Sequence, residues 1–265
     1  MKYFFSTVLI IIILSANVLT ASAVELAQLN FSSLETGVLS VEYQMNTESN
    51  TRIMIENNGE RHFYRLSYDL KQESFPLKQG NGEYTVTVLA HINGNQYRPI
   101  ITEMIQVNNV DESRMYLGSI QEIKWNETMD SIQKAQELTQ GLQTDTEKVE
   151  AIYHYIVQNF RYDYEKVTAL TSDYLPDIEI IFAEQKGICY DYASLFAAML
   201  RSVGVPARMA KGYAPGIAEY HAWNEVLVDG EWIVIDTTMD AAYAAGGVAY
   251  DMIKNAEEFQ KQIAI

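Results

Sequence analysis

One cysteine heads a run of residues with helical spacing, and two predicted strands follow it. From Cys189 the apolar positions Ala193, Phe196, Ala197 and Leu200 recur on one face of a predicted helix, which Gly204 terminates. The thiol therefore lies on the face that packs inward. Its place in the first turn also favours a thiolate, because the free amides and the positive end of the helix dipole attract an anion.

Residues 207–213 are predicted to form one strand after this helix, and the next two strands are predicted to form a hairpin. Residues 221–228 and 231–238 flank Asp229-Gly230, the pair that two-residue turns prefer. In that register His221 lies on the same face as Asp236, as its diagonal neighbour. Diagonal side chains have Cβ atoms about 7–8 Å apart, which an imidazole and a carboxylate can span. One ring nitrogen of His221 is then left for Cys189.

Cys189, His221 and Asp236 together are the residue types of a nucleophilic triad. The thiolate is predicted to attack a carbonyl carbon, while His221 takes the thiol proton and later protonates the leaving amine. Asp236 would fix the imidazole tautomer and stabilise the imidazolium. The backbone amide of Cys189 is a plausible oxyanion donor. A second donor stays open among four residues: Tyr162, Tyr164, Gln185 and Trp223.

Each of these residues also has a simpler interpretation. A lone cysteine is often a small buried hydrophobe, and an isolated histidine or aspartate is usually structural. A zinc site is disfavoured, because the ligands lack a short paired spacing and a fourth ligand is not evident. We therefore expect no metal and no cofactor. Asp191 and Glu225, beside the triad, are interpreted as surface residues of the helix and strand, and His154 as a surface residue.

Charge and composition exclude some classes of partner. The chain of 265 residues is 48% hydrophobic and 20% charged, which is enough for a packed core. Its net charge of −16 disfavours nucleic acid and anionic membrane surfaces, because both require a basic patch. We expect a protein or peptide substrate, possibly in the cell envelope; the sequence does not indicate an oligomeric state.

The first 23 residues are predicted to be a signal peptide. Lys2 precedes an unbroken apolar run over residues 8–14, and Ala21-Ser22-Ala23 matches a small-x-small cleavage site before Val24. A retained N-terminal anchor is the alternative, although the run is short for a membrane span. No later stretch is long and apolar enough to cross a bilayer. The predicted location is secreted or associated with the cell envelope.

Residues 24–108 are predicted to be an immunoglobulin-like β-sandwich. The predicted strands are 38–45, 51–55, 61–66, 82–89 and 96–107, with turn signals at Asn57-Asn58-Gly59 and Asn93-Gly94. His62 and His91 each stand alone there, so no site chemistry is expected. The polar stretch 108–118 marks a boundary.

Residues 119–265 are predicted to be the catalytic domain, of the α+β class. Helical spacing covers 129–138, and Thr144 or Asp145 can cap a second helix whose apolar face runs from Val149 to Phe160. The tail from Ala241 to Ile265 is predicted to end in a short helix from Asn255.

Several motifs in order resemble the transglutaminase-like superfamily, most closely its bacterial exported members. They are Gly187-Ile188-Cys189-Tyr190-Asp191-Tyr192-Ala193, Leu200 to Arg208, Lys211-Gly212-Tyr213, His221 to Val226 and Trp232 to Thr238. The resemblance runs from about Thr144 to Thr238. It implies a papain-like α+β core with the cysteine on a helix packed against an antiparallel sheet. It also implies that Cys189 is the nucleophile, His221 the base and Asp236 the orienting acid.

Three hypotheses about function follow. The first is an exported cysteine hydrolase that cleaves amide or peptide bonds through an acyl-thioester. The second is acyl transfer to an amine, as in protein cross-linking. Calcium-dependent cross-linking is weakened, because Ile188 stands where the animal enzymes have glutamine and no Asp-x-Asp-x-Asp-Gly loop is present. The third is a non-catalytic envelope-binding or scaffold protein.

Overall fold

Antiparallel sheets occur in both halves of the chain. The computed structural model describes residues 11–12, 29–43, 50–67, 72–108, 110–171 and 173–265. The chain divides into two structural units, Met1–Val110 and Asp111–Ile265. Each unit is described separately below.

The N-terminal unit contains two sheets. Its strands are β1 (Ile11–Ile12), β2 (Asn30–Ser32), β3 (Val38–Glu42), β4 (Thr51–Asn57), β5 (Glu60–Leu66), β6 (Gln72–Pro76), β7 (Gly82–Asn93) and β8 (Gln96–Val107), with a 3₁₀ turn at Leu34–Thr36. One sheet has the order β1-β8-β7-β4-β5 and the other β2-β3-β6. All pairs are antiparallel except β1 with β8. The two sheets contact each other through the Tyr64 and Phe75 rings, whose centroids are 5.0 Å apart.

The predicted strands of this unit are present, and the Asn57-Asn58-Gly59 turn joins β4 to β5. Asn57 pairs with Glu60, and the two turn residues have φ of 50° and 82°, the left-handed region that asparagine and glycine tolerate. The sequence analysis missed β2 and β6. The predicted signal peptide lies outside the described residues apart from Ile11–Ile12. The immunoglobulin-like assignment stays a prediction.

The C-terminal unit combines helices with a five-stranded antiparallel sheet. Its helices are α1 (Asp130–Leu138), α2 (Asp145–Asn159), α3 (Tyr164–Ala169), α4 (Ile178–Glu184), α5 (Cys189–Ser202) and α6 (Thr237–Ala245), with 3₁₀ turns at Glu112–Tyr116 and Ala256–Glu258. Its strands are β9 (Arg161–Tyr162), β10 (Lys186–Gly187), β11 (Ala207–Tyr213), β12 (His221–Val228), β13 (Glu231–Ile235), β14 (Ile253–Lys254) and β15 (Gln260–Ala264). The large sheet has the order β14-β13-β12-β11-β15, and β9 pairs with β10 separately.

Helix α5 is the centre of this unit. It packs against β12 and β11 on one side, while α1, α2, α4 and α6 also contact it. Every residue from Asp191 to Arg201 is buried, so the helix is covered on all faces rather than along one stripe. The mixed α+β class and the cysteine helix on an antiparallel sheet agree with the sequence analysis.

Two predictions about this unit were wrong. The strand predicted to continue to Thr238 ends at Ile235, because Asp236 caps α6 instead. The tail predicted as a helix from Asn255 forms a 3₁₀ turn and then β15, which pairs with β11 along the sheet edge. In the tail, pairing with β11 overrides local helix signals, because an edge strand offers unpaired backbone groups.

Candidate active site

Cys189 is the first residue of α5 and is partly exposed. The short strand β10 directly precedes the helix. It pairs in parallel with β9, with Gly187 opposite Tyr162. At the start of a helix the backbone N–H groups lack intrahelical partners. The thiol therefore sits where free amides and the helix dipole both stabilise negative charge.

His221 begins β12, on the strand next to β11. The two-residue turn predicted at Asp229-Gly230 is present, because Val228 pairs with Glu231. His221 is 5% exposed and faces Gly212 of β11. The hairpin register that the sequence indicated is therefore the one that the structure adopts.

Asp236 is fully buried, and each of its carboxylate oxygens has a partner. Its Oδ2 accepts a hydrogen bond from His221 Nε2 at 2.7 Å, and its Oδ1 accepts one from the backbone N–H of Met239 at 3.0 Å. Because an ionised carboxylate only accepts, Nε2 carries the proton in this pair. Asp236 thus holds the imidazole and caps α6 at once, a second role that the sequence analysis missed. The Asp-Thr-Thr order after a strand was the signal for the cap.

The Cys189 side chain lies close enough to His221 to influence the pKa of the imidazole. Since Nε2 is occupied by Asp236, Nδ1 is the ring nitrogen left for the sulfur. Burial lowers the pKa of His221, but the charge and hydrogen bond of Asp236, together with the Cys189 contact, outweigh burial and raise it to about 10. The structure brings Cys189, His221 and Asp236 together in the arrangement that a thiolate–imidazolium pair requires.

Among the four candidate oxyanion donors, Tyr162 lies near the sulfur. Burial raises the pKa of Tyr162 and the charge of Cys189 raises it further, so the phenol keeps its proton at neutral pH. Trp223 packs beside His221, with ring centroids 6.4 Å apart. Tyr164 is 76% exposed, and Gln185 forms the left-handed end of α4.

Trp223 also belongs to an apolar cluster behind the histidine. The cluster contains Ala210, Ala214, Trp223, Val234, Met239 and Phe259. A pocket of 470 Å³ opens beside the cluster, with walls from α6, residues 215–216 and residues 249–259. None of the three triad residues lines it.

A second carboxylate lies behind Asp236. Asp240 is fully buried, accepts a hydrogen bond from Tyr153 Oη at 2.7 Å and pairs with Lys254. Burial raises the pKa of Asp240 and the charge of Asp236 adds to the rise, while Lys254 and Tyr153 oppose it. No sequence motif indicated these two contacts of Asp240. Tyr153 lies 87 positions earlier in the sequence. Lys254 lies in the tail, where no contact with Asp240 was predicted.

The surface interpretation of Asp191 and Glu225 was wrong. Asp191 has no exposed area and Glu225 is nearly buried. Glu225 pairs with Arg208 and Lys261, which joins β12 to β11 and β15. Both carboxylates pair with basic side chains from elements that are distant in sequence. The residue pattern of one helix or one strand does not indicate such pairs. His154 is exposed, as expected.

Two searches of the described residues gave negative results. No group of three or more His, Cys, Asp or Glu side chains in this part of the chain is placed to hold a metal ion. No helix among these residues combines the length and apolar character needed to cross a bilayer.

Comparison with known proteins identifies the region that carries the triad. Residues 132–237 match the model of the transglutaminase-like superfamily. The kyphoscoliosis peptidases of Mus musculus and Homo sapiens are each 32% identical over 112 residues, which is 38% of this chain and 17% of theirs. This chain therefore spans less than a fifth of the length of these relatives.

Among solved structures, a candidate cysteine protease from Cytophaga hutchinsonii matches this chain. It shares 18% identity, with a TM-score of 0.46, over 94% of this chain and 73% of that one. The periplasmic domain of TgpA from Pseudomonas aeruginosa shares 18% identity, with a TM-score of 0.41, over 78% and 74% of the two chains. On the family match, Cys189, His221 and Asp236 all lie in the region of this chain that is similar to transglutaminase-like domains.

Proposed function

We propose that this protein is an exported cysteine hydrolase that cleaves amide or peptide bonds through an acyl-thioester on Cys189. The observation that carries the proposal is the hydrogen bond between the buried His221 and Asp236, together with the position of the Cys189 side chain beside the same imidazole. A buried carboxylate fixes the imidazole, and a protonated imidazole faces the sulfur. A merely structural cysteine needs neither partner.

The reaction has two steps at the same sulfur. In the first, the Cys189 thiolate attacks the carbonyl carbon, the C–N bond breaks, and His221 Nδ1 gives its proton to the leaving amine. In the second, water attacks the thioester, neutral His221 removes a proton from that water, and the C–S bond breaks to release the acid and the thiolate. Asp236 stays ionised and hydrogen-bonded to Nε2 in both steps.

The oxyanion of each tetrahedral intermediate needs donors near Cys189. The backbone N–H of Cys189 is one, because it lies at the start of α5. We assign the role of second oxyanion donor to the Tyr162 hydroxyl. Tyr162 pairs with Gly187, two residues before Cys189, and the charge of the sulfur helps to raise the pKa of the phenol, which therefore keeps its proton. Tyr162→Phe removes this donor while keeping the ring, and we expect its kcat to fall by about 10²-fold with a smaller change in KM.

The α3 helix offers apolar contacts for a polypeptide substrate. Tyr164, Val167 and Leu170 occur at intervals of three residues and are 76%, 42% and 39% exposed. The Tyr164 ring contacts the Tyr162 ring at 5.0 Å, so this surface is continuous with the surroundings of the nucleophile. We infer that it binds apolar side chains next to the scissile bond. Tyr164→Ser should raise KM for such peptides and leave Cys189 alkylation unchanged.

The central experiment measures acyl-enzyme formation and its fate. The protein and its Cys189→Ala variant are incubated with internally quenched peptides and with casein, and intact mass spectrometry detects the acylated enzyme. Cleavage of the peptides by the unaltered protein, with no cleavage by Cys189→Ala, supports hydrolysis. Incorporation of an amine probe into glutamine side chains without cleavage would instead support acyl transfer. If iodoacetamide modifies Cys189 no faster than a free model thiol at pH 7, the catalytic proposal is wrong.

Export is part of the same proposal. The apolar run over residues 8–14 and the Ala21-Ser22-Ala23 site support it. The protein recovered outside the cytoplasm should begin at Val24, which N-terminal sequencing measures. An N-terminus at Met1 would support the retained anchor.

We also infer that the N-terminal unit is a non-catalytic β-sandwich of the immunoglobulin-like type. Its two sheets and the Tyr64–Phe75 contact between them support this assignment. An experimental structure in which the sheets do not face each other would contradict it.

A further inference from the structure

Asp191 is a buried carboxylate two residues after the nucleophile. It lies in the first turn of α5 and has no exposed area. Buried carboxylates are costly unless hydrogen bonds and a cation compensate the lost hydration. The partners of Asp191 therefore indicate what its charge is used for, since neither the family match nor the triad assigns it a role.

One partner is the backbone directly before Cys189. Asp191 Oδ2 accepts a hydrogen bond from the Ile188 N–H at 2.9 Å. Gly187 is packed against the same side chain, because a Cβ added there would lie 2.7 Å from Asp191 Cβ. This close approach requires glycine at 187 and fixes the peptide that leads into the nucleophile. The directions of the Cys189 side chain and of its backbone N–H both depend on that peptide.

The other two partners come from the chain between β9 and α4. Lys166 Nζ of α3 donates to Asp191 Oδ2 at 2.6 Å, and the Tyr174 hydroxyl donates to Oδ1. Lys166 also lies over the Tyr174 ring, 4.7 Å from its centroid. One carboxylate thus joins the helix that bears Tyr164 and Val167 to the turn that bears the nucleophile.

An amide at position 191 could not replace this arrangement. All three partners are donors, and an ionised carboxylate accepts at both oxygens. In asparagine, one end of the side chain becomes a donor that faces either Tyr174 or the pair Ile188 and Lys166. Asp191→Asn therefore keeps the size of the side chain and breaks the network.

We propose that Asp191 is a positioning residue that holds the backbone before Cys189 and the α3 helix in their reactive arrangement. The proposal rests on the proposed function, because it takes Cys189 as the nucleophile. Asp191 does not touch the reacting atoms; it acts through the peptide at Ile188 and through Lys166.

The test uses the rate of Cys189 alkylation by iodoacetamide from pH 5 to pH 10. Cys189 is the only cysteine in the chain, so intact mass spectrometry reports its modification directly. We expect Asp191→Asn to lower the maximal rate constant, reached at high pH, by about 10-fold or more, since misplacement by about 1 Å can cost 10²-fold. Removing a negative charge near the sulfur would by itself favour the thiolate, so a slower maximal rate cannot come from charge alone.

Glu225→Gln is the matched control. Glu225 is also a nearly buried carboxylate that pairs with two basic side chains, and no contact joins it to the backbone before Cys189. Its maximal rate should stay within about twofold of the unaltered protein, because distant sites act independently. Thermal unfolding of each variant measures the loss of stability separately from the loss of reactivity.

Two milder variants keep the test decisive if Asp191→Asn does not fold. Tyr174→Phe and Lys166→Met each remove one donor and leave the Ile188 hydrogen bond in place. Each should lower the maximal rate by about 2- to 5-fold, as part of a network that acts as a unit. The proposal is overturned if Asp191→Asn folds and reacts within twofold of the unaltered protein, if Glu225→Gln is equally slow, or if both milder variants react normally. If Cys189 of the unaltered protein is alkylated no faster than a free model thiol, the proposed function is wrong. The ratio of each variant's maximal rate to that of the unaltered protein still tests the role of Asp191.

Discussion

Two buried tyrosine–carboxylate pairs, one in each unit, have similar chemistry and different surroundings. In the N-terminal unit Tyr43 donates to Glu73, which also accepts from the Ser67 N–H. In the C-terminal unit Tyr153 donates to Asp240, which also pairs with Lys254 and senses the charge of Asp236. The first pair joins β6 to the end of β5, while the second lies close enough to Asp236, the partner of His221, for the two carboxylates to interact electrostatically.

The wider pattern of buried titratable side chains follows the same division. Among the described residues of the N-terminal unit, Glu73 is the one acidic, basic or histidine side chain that is buried. Those of the C-terminal unit are Glu122, Asp163, Asp191, Arg201, His221, Glu225, Asp236 and Asp240. Burying a charge lowers stability unless partners compensate it. Three of these residues, Asp191, His221 and Asp236, belong to the candidate site around Cys189, and the following experiments compare that site with the N-terminal unit.

The largest effect is expected at Asp236. Asp236→Ala removes the partner of His221 and the cap of α6, so the unfolding free energy should fall by about 3–5 kcal/mol. Asp236→Asn keeps an oxygen for the Met239 N–H and should lose less. Urea unfolding at pH 7 measures both. Equal losses for the two variants would mean that the cap contributes nothing.

Next comes the reactivity of Cys189 without its base. His221→Gln should lower the alkylation rate at pH 7 by about 30-fold, because an ordinary thiol with a pKa near 8.5 is only a few per cent ionised at that pH. His154→Gln is the matched control, since His154 is exposed on α2 and makes no contact with the triad. A similar rate in both variants would show that the imidazole does not activate the sulfur.

The two tyrosine pairs give a direct test of the comparison. Tyr43→Phe and Tyr153→Phe each remove a hydroxyl that donates a hydrogen bond to a buried carboxylate. Each substitution should lower the unfolding free energy by about 1–2 kcal/mol. Only Tyr153→Phe should also slow the alkylation of Cys189, because Asp240 lies beside Asp236. Iodoacetamide kinetics at pH 7 measure this. Equal kinetics in the two variants would remove the distinction between the pairs.

The last prediction concerns the pH dependence of stability. The pKa of His221 is raised from 6.5 to about 10, so the folded protein binds this proton more tightly than the unfolded chain does. The resulting stabilisation is complete below about pH 6.5 and is lost as the pH rises through about 10. The gap in Tm between the unaltered protein and His221→Gln should therefore narrow between pH 6.5 and pH 10. A constant gap would contradict the raised pKa.

Much of the site could be predicted from short patterns. The Asp229-Gly230 turn set the hairpin register, and the register placed His221 and Asp236 on one face. The capping signal at Thr144 or Asp145 placed the start of α2 correctly, and the structure has Thr144 as the cap. These features are local, since each depends on residues within a few positions of one another.

The missed features are those that join distant parts of the chain. The β15 strand depends on pairing with β11, about fifty residues earlier. Lys166 reaches Asp191, and Tyr153 reaches Asp240, across gaps of 25 and 87 positions. Asp236 was predicted in a strand, although as the α6 cap it has non-strand backbone angles.

Residue order and spacing alone were sufficient to indicate the helix that bears the thiol, the hairpin that bears its base and the carboxylate for that base. They were sufficient because turn chemistry and the periods of helix and strand act over a few residues. Which carboxylates are buried, which cations compensate them and how α3 is held to the nucleophile emerged only from the folded chain. Those features depend on contacts between segments far apart in sequence, where burial and counter-charge are set by packing rather than by local pattern.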